Sequence, residues 1–143
     1  LHILEYEYYF KVVDGLLAQN PTTPLLLFDE ILRKGFDGQN FIVGLSEHLR
    51  NLMVAQDVRN IQLMEVPDTI RKKYEEQSKA APYSLLLSWL SIANQADINY
   101  KMSKNQRLTV ELALMKMAHL KSVFQGAPVA EPAEPAALKK KLN

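Results

Sequence analysis

The stretch KMSKNQRLTVELALMKMAHL, residues 101–120, joins a polar start to a thick apolar helix. Ser103 precedes Gln106 by three residues, the spacing of a capping box, in which the serine hydroxyl and the glutamine side chain each accept from an N–H of the first turn. This spacing predicts a helix that begins at Ser103. The apolar side chains after it form two adjacent rows, which predict a wide packing stripe: Leu108, Leu112 and Met115, and Val110, Leu114, Met117 and Leu120.

Proline and glycine separate five more periodic segments upstream, and apolar residues nowhere alternate for long with a period of two. This punctuation predicts an all-α fold, a compact bundle of five to six helices with a C-terminal Pro/Ala-rich linker. Thr23 should cap the second helix, with Pro24 in its first turn, and Asp37 should cap the third. The predicted helices cover about residues 3–18, 24–34, 38–57, 67–80 and 82–100, with 58–66 as a connection.

The fourth and fifth predicted helices differ in their apolar surface. The fourth is highly charged, and Ile70 and Tyr74 are its few apolar contacts, so we expect it at the periphery of the bundle. The fifth is apolar over more than the usual arc, which predicts burial on two sides. Its apolar residues are Leu85, Leu86, Leu87, Trp89, Leu90, Ile92 and Ala93.

The 143 residues are enough for one domain with a single core. The composition changes after Phe124 to GAPVAEPAEPAALKKKLN, residues 126–143, which has too little apolar area to offset the entropy of ordering. We therefore predict a helical domain over residues 1–125 and a flexible linker over 126–143. The chain begins at Leu1 instead of methionine, as expected of a piece of a longer protein.

Composition excludes several classes of function. The 17 basic side chains are balanced by 16 acidic ones, so no overall field attracts nucleic acid or an anionic membrane. The absence of cysteine excludes disulfides, thiolate nucleophiles and cysteine-ligated zinc. The apolar runs are too short for a membrane span, and no signal peptide opens the chain. We expect a soluble, cytoplasmic protein.

Chemical motifs are also missing. No glycine-rich phosphate loop or nucleophile elbow is present, and His2, His48 and His119 do not combine into a metal-binding motif. His48 is expected at the edge of the core. The carboxylates of Asp29-Glu30 and Glu75-Glu76 are sequence neighbours, which point in different directions on a helix. We predict no catalytic, cofactor-binding or metal-binding residues, and no enzyme activity.

Two functional hypotheses remain. The surplus apolar surface of the last two helices either forms a central hairpin or turns one row toward another subunit. Alternatively, Lys101, Lys104 and Arg107 at the start of the last helix contact phosphates, in a free-standing helical adaptor that binds nucleic acid. The candidate subunit-interface residues are Leu86, Trp89, Tyr100, Lys104, Arg107 and Glu111.

Four segments together resemble a known family. They are YEYYFKVVDGLLAQN (6–20), LFDEILRKGFDGQNFIVGLSEHLRNLMVAQD (27–57), IRKKYEEQ (70–77) and NYKMSKNQRLTVELALMKMAHL (99–120). In their order and in their amino-acid sequence, they are similar to the third domain of the gamma/tau subunit of the bacterial DNA polymerase III clamp loader. The resemblance covers about residues 6–124.

This resemblance implies a helical collar domain that packs beside the third domains of other loader subunits, namely gamma/tau copies, delta and delta prime. In that family the AAA+ ATPase machinery lies in two preceding domains. The chain lacks the Walker motif and the zinc-binding cysteines of those domains, so ATP hydrolysis is not expected of it. The resemblance also implies that the tail begins the linker that leads, in the longer form of the subunit, toward polymerase and helicase contacts.

Overall fold

A computed structural model describes residues 6–126, and the side chains of residues 6–123. Over this range it is built from helices without strands, which confirms the all-α bundle. The predicted linker lies almost entirely outside the described residues. The helices are α1 (Tyr6–Leu17), α2 (Thr22–Arg33), α3 (Gly38–Ala55), α4 (Val58–Ile61), α5 (Asp68–Ser78), α6 (Tyr83–Tyr100) and α7 (Gln106–Gly126).

The turn between α2 and α3 follows the sequence signals. The N–H of Gly35 donates to the carbonyl of Leu32, the N–H of Phe36 donates to that of Ile31, and Gly35 has a φ of 97°. This Schellman arrangement needs a left-handed residue, and glycine adopts that conformation without a Cβ penalty. The predicted cap of α3 is confirmed, since the Asp37 carboxylate accepts from the N–H of Asn40 at 2.7 Å.

The predicted cap of α2 is wrong. The helix begins at Thr22, one residue before Thr23, and its N-cap position is Pro21, which makes no side-chain capping bond. Asn20 takes the capping role instead: its side-chain oxygen accepts from the N–H of Thr22 at 3.0 Å, and its amide donates to the Thr23 hydroxyl at 3.1 Å. Asparagine is at least as good an acceptor for helix N–H groups as threonine, so the earlier residue is used.

The start of α7 also differs from the prediction. The Asn105 side chain accepts from the N–H of Leu108 at 3.0 Å, while the Ser103 hydroxyl donates to the Asn105 carbonyl at 3.0 Å. The Gln106 side chain donates to the carbonyl of Tyr100, at the end of α6, at 3.1 Å. The capping-box prediction is therefore wrong. Asn105 caps the helix, and Gln106 joins it to α6.

The predicted connection 58–66 contains a helix of its own, α4. Asp57 caps it, because its carboxylate accepts from the N–H of Arg59 at 3.0 Å and forms an ion pair with the guanidinium of the same residue. Four residues are too few for helical periodicity to be seen in a sequence, so this element could not be predicted from the apolar pattern.

Helix α3 lies at the centre of the bundle and contacts the other six helices, among them α6, which also packs against α7. The Trp89 indole N–H donates to the carbonyl of Met117 at 2.9 Å, inside the core. Helix α1 packs against α2 and α7. The predicted burial of α6 on two sides is wrong, because its buried residues lie on one arc of the helix and Leu87 is 51% exposed. Helices α6 and α7 do form a packed hairpin.

Helix α5 lies on α3 and, less extensively, on α1 and α4. Most of its side chains are exposed or half-exposed, but Tyr74 is only 2% exposed and belongs to the core. Within the described range, none of the helices is long and apolar enough to cross a membrane.

Candidate subunit interface

Two of the predicted interface residues lie inside the domain. Leu86 and Trp89 are both 0% exposed and pack in the core that α6 shares with α3 and α7. Neither side chain can contact another subunit while the helices are packed as they are here. This part of the prediction is wrong because both residues lie on the apolar arc of α6, and that arc is buried inside the domain.

The two apolar rows of α7 have different environments. Val110, Leu114 and Met117 are buried, as the hairpin alternative requires. The other row stays at the surface: Leu108 is 48% exposed, Leu112 is 45% exposed and Met115 is 38% exposed. Spacings of four and three residues place these side chains on one face of the helix. We call Leu108, Leu112 and Met115 the exposed row.

A groove of about 690 Å³ lies between α6 and α7 at the surface, beside this row. Ile92 and Ala96 of α6 and Leu112, Ala113 and Leu120 of α7 supply its apolar walls. Met102, which is 85% exposed, lies at the groove as well. The polar residues that line it are Ser88, Ser91, Gln95, Asn99, Ser103, Thr109 and Lys116. The groove therefore has a mixed apolar and polar lining, and both kinds of side chain occur in protein-binding surfaces.

Arg107 is engaged within the domain. Its guanidinium contacts Glu111 at 2.8 Å and Asp29 of α2 at 2.9 Å, and Asp29 also contacts Arg33 at 3.0 Å. The hydrogen bonds to Glu111 and then Asp29 raise the pKa of Arg107 above its ordinary value. The network joins α2 to α7 at the surface. The two carboxylates also offset the positive charge of Arg107, which had suggested a phosphate site. Lys104, by contrast, is exposed.

Tyr100 is half-buried at the end of α6 and lies over the start of α3. A Cβ added to Gly38 would lie 2.9 Å from the Tyr100 hydroxyl oxygen, so glycine is needed there for the ring to approach. The structure thus joins Arg107 and Glu111 on α7, leaves Lys104 exposed in the turn before it, and places Tyr100 at the junction of α6 with α3.

Large apolar side chains are also exposed after the end of α3 and in the first half of α6. Val58 is 63% exposed and Leu63 is 74% exposed after the end of α3, while Tyr83 and Leu87 of α6 are 55% and 51% exposed. A cavity of about 440 Å³ lined partly by Tyr83, Leu90 and Met53 lies on this side of α6. Leu87 belongs to the apolar residues already noted in the fifth predicted helix, whereas Val58 and Leu63 lie in the segment predicted to be a connection.

The remaining candidates for a catalytic or metal-binding role lie in surroundings that indicate a structural role. His48 is 2% exposed and lies within the core instead of at its edge, with its Nε2 atom 2.8 Å from the Gln77 side-chain oxygen. Burial lowers its pKa to about 4. Among the residues that the structure describes, no group of His, Asp and Glu is arranged to hold a metal ion.

These features define an all-helical packing domain whose candidate binding surfaces carry exposed apolar side chains. The chain matches the family model for domain III of the gamma and tau subunits of DNA polymerase III over residues 4–130. Because the match covers most of its length, the chain belongs to this family, and the resemblance is confirmed. The family consists of non-catalytic helical domains of the clamp loader. A search of curated proteins returned no match.

Proposed function

We propose that this chain is a non-catalytic oligomerisation domain that packs with the third domains of other clamp-loader subunits. Gamma/tau copies, delta and delta prime are the proposed partners, and the assembly would hold the AAA+ ATPase domains together in the cytoplasm during DNA replication. The observation that carries this proposal is the exposed row Leu108, Leu112 and Met115 beside the groove between α6 and α7. Contiguous apolar surface of this kind on a domain with a complete core favours a partner.

The positions of the two apolar surfaces support the same proposal. Side-by-side packing in a ring is heterologous, so each subunit needs two different faces. The exposed row and the groove supply one face. We assign the other face to the side of α6 where Tyr83 and Leu87 are exposed, beside the cavity lined partly by Tyr83 and Leu90.

The proposed interface includes polar residues. Lys104 is exposed and lies one turn before the exposed row, and Lys116 is exposed and lines the groove. Arg107 and Glu111 would contribute as a preformed pair that is already ordered by Asp29. Tyr100, at the junction of α6 with α3, would hold the end of α6 in place behind the exposed row and the groove. Leu86 and Trp89 are replaced by the residues of the exposed row.

The mass of the 143-residue chain in solution, alone and mixed with the other loader subunits, tests the proposal. Leu112→Glu should abolish mixed assembly, because it places a charge in the middle of the apolar face. Leu26→Glu is the matched control: Leu26 is 64% exposed on α2, and the same substitution there should leave assembly intact. Circular dichroism of both variants checks that the fold is unchanged.

Failure of wild-type chain to form a mixed assembly under any condition would contradict the proposal. The nucleic-acid alternative makes the opposite prediction, namely salt-dependent DNA binding without association with loader subunits. Lys104→Glu would then reduce DNA binding strongly, since Arg107 is already occupied by two carboxylates.

A further inference from the structure

The groove between α6 and α7 has the dimensions of a seat for a third helix. Its α6 wall extends from Ser88 to Asn99, and its α7 wall extends from Thr109 to Leu120. Each wall covers about three helical turns, roughly 16 Å at 1.5 Å per residue. Because only residues 101–105 join the two helices, α6 and α7 are antiparallel neighbours, and the two walls lie side by side.

The residues that line the groove recur every three or four positions along both helices. This spacing places their side chains on one stripe of each helix, as in a stripe that packs against a neighbouring helix. The residues of the two stripes are Ser88, Ile92, Gln95 and Asn99 on α6, and Thr109, Ala113, Lys116 and Leu120 on α7.

Small side chains leave room between the two helices. Ala96 and Ala113 line the groove and are 6% and 3% exposed, and Ser88 is half-buried. Apolar side chains that enter the groove would also contact Ile92 and Leu120 on its walls. An extended segment would need hydrogen-bond partners for its backbone, whereas a helix satisfies its own N–H and C=O groups. The shape therefore favours a helix as the occupant.

The charges beside the groove are positive. Lys116 is exposed and lines the α7 wall. Lys101 and Lys104 are exposed in the turn between the two helices, beside Met102 and Ser103, which line the end of the groove. A partner with carboxylates at matching positions would meet these three lysines.

The carboxylates of α6 and α7 are bound elsewhere. Asp97, the only carboxylate of α6, accepts from the Gln39 side chain at 3.3 Å. Glu111, the only carboxylate of α7, contacts Arg107 at 2.8 Å. Among the residues that the structure describes, no Asp or Glu lines the groove. The carboxylates that would balance the lysines are therefore expected from the partner.

We infer that the groove binds a helix of a partner subunit, apolar on the face that enters the groove and acidic on the flank that faces α7. The apolar face packs against Ile92, Ala113 and Leu120, and the acidic flank meets Lys116 and Lys104. The opposite flank of the helix meets the uncharged polar residues of α6. This inference rests on the proposed function, because it specifies the chemistry of the partner at the same face.

Lys116→Glu tests the charge of the partner in mixed assembly of the 143-residue chain with the other loader subunits. Repulsion between Glu and the acidic flank should weaken assembly about tenfold at low ionic strength, and less at high salt. Lys72→Glu, the same charge change at an exposed residue of α5, is the matched control and should leave assembly unchanged. Circular dichroism checks that both variants are folded.

The outcomes separate this inference from the proposed function. If K116E assembled as tightly as wild type while Leu112→Glu still abolished assembly, only the acidic helix would be refuted. An equal loss in K72E and K116E would also refute it, because the effect would then come from net charge. Absence of mixed assembly with the wild-type chain would overturn both proposals.

Crosslinking identifies the occupant directly. A photoreactive p-benzoylphenylalanine in place of Gln95, which is exposed on the α6 wall, should crosslink to one partner segment in the mixed assembly. We expect a segment with apolar residues three or four positions apart and with Asp or Glu on one flank. The same probe in place of Lys72 is the control and should give no such crosslink.

A charge exchange completes the test. Changing the carboxylate of the crosslinked segment to Lys should restore assembly with K116E and weaken assembly with the wild-type chain. A crosslinked segment without carboxylates or without helical spacing of its apolar residues, or failure of the exchange to restore assembly, would overturn the inference.

Discussion

The indole N–H of Trp89 donates to the backbone carbonyl of Met117 at 2.9 Å, and this bond joins α6 to α7 inside the core. Both residues are 0% exposed. The contact supports one register of α6 against α7, because it pairs one indole with one backbone carbonyl of the facing helix. The exposed row of α7 is oriented outward by the same register.

Trp89→Phe should therefore destabilise the domain. The change removes one buried hydrogen bond and leaves a cavity where the larger indole stood, so we expect a loss of about 1–3 kcal/mol in the free energy of unfolding. Urea denaturation followed by circular dichroism measures it. Leu87→Ala, two residues earlier at a side chain that is 51% exposed, should change stability by much less. Equal losses in the two variants would contradict the assigned packing.

The crossing of α1 and α3 depends on Gly44. A Cβ at this position would lie 2.1 Å from the Tyr9 hydroxyl oxygen and 2.5 Å from the ring carbon that carries it. The hydroxyl donates to the Phe41 carbonyl at 3.3 Å, and the ring stacks on Phe41, so Tyr9 cannot move away without losing both contacts.

Gly44→Ala should accordingly lower the free energy of unfolding by about 1–3 kcal/mol through overpacking, although alanine is the better helix former. Gly35→Ala is a useful comparison, since nothing lies within 4 Å of the added Cβ and only the φ of 97° is unfavourable. Its cost should be about 1 kcal/mol. Thermal unfolding of both variants would show whether close approach or backbone conformation matters at each site, and a stable G44A would refute the close contact.

The all-α class and most helix positions could be predicted because helical periodicity and proline or glycine breaks are local properties of the chain. The cap of α3 was also predictable, since Asp37 comes directly after the Gly35-Phe36 break, whereas Asn40 lies within the helical stripe. The caps of α2 and α7 were not, because Thr23 and Ser103 each compete with an asparagine within three residues. Helix α4 was too short to show a period.

The interface residues were harder to predict than the fold. The sequence showed that α6 and α7 carry more apolar residues than one face needs, but the choice of the buried row depends on long-range packing. Leu86 and Trp89 were misplaced for this reason. The burial of His48 was also hidden, since it needs Gln77 from a distant, strongly charged segment.

The ion-pair network of α7 gives a prediction about salt. Arg107→Glu should lower the thermal midpoint at low ionic strength, because it breaks contacts with both Asp29 and Glu111 and introduces repulsion. The difference from wild type should shrink at high salt, where exposed charges are screened. Lys104→Glu, one turn earlier, should leave the midpoint nearly unchanged at every salt concentration. If the thermal midpoint of R107E were lower by the same amount at every salt concentration, the loss would not come from the ion pairs.

The cap of α7 can be tested with three substitutions. Asn105→Ala removes the acceptor for the N–H of Leu108 and should cost about 1 kcal/mol of unfolding free energy. Asn105→Asp keeps an acceptor and should retain most of the stability. Ser103→Ala should cost less than N105A, because the Ser103 hydroxyl donates to a carbonyl in the turn and accepts only from the Thr109 hydroxyl. If S103A were instead the more damaging change, the helix would begin with the capping box that the spacing of Ser103 and Gln106 predicted.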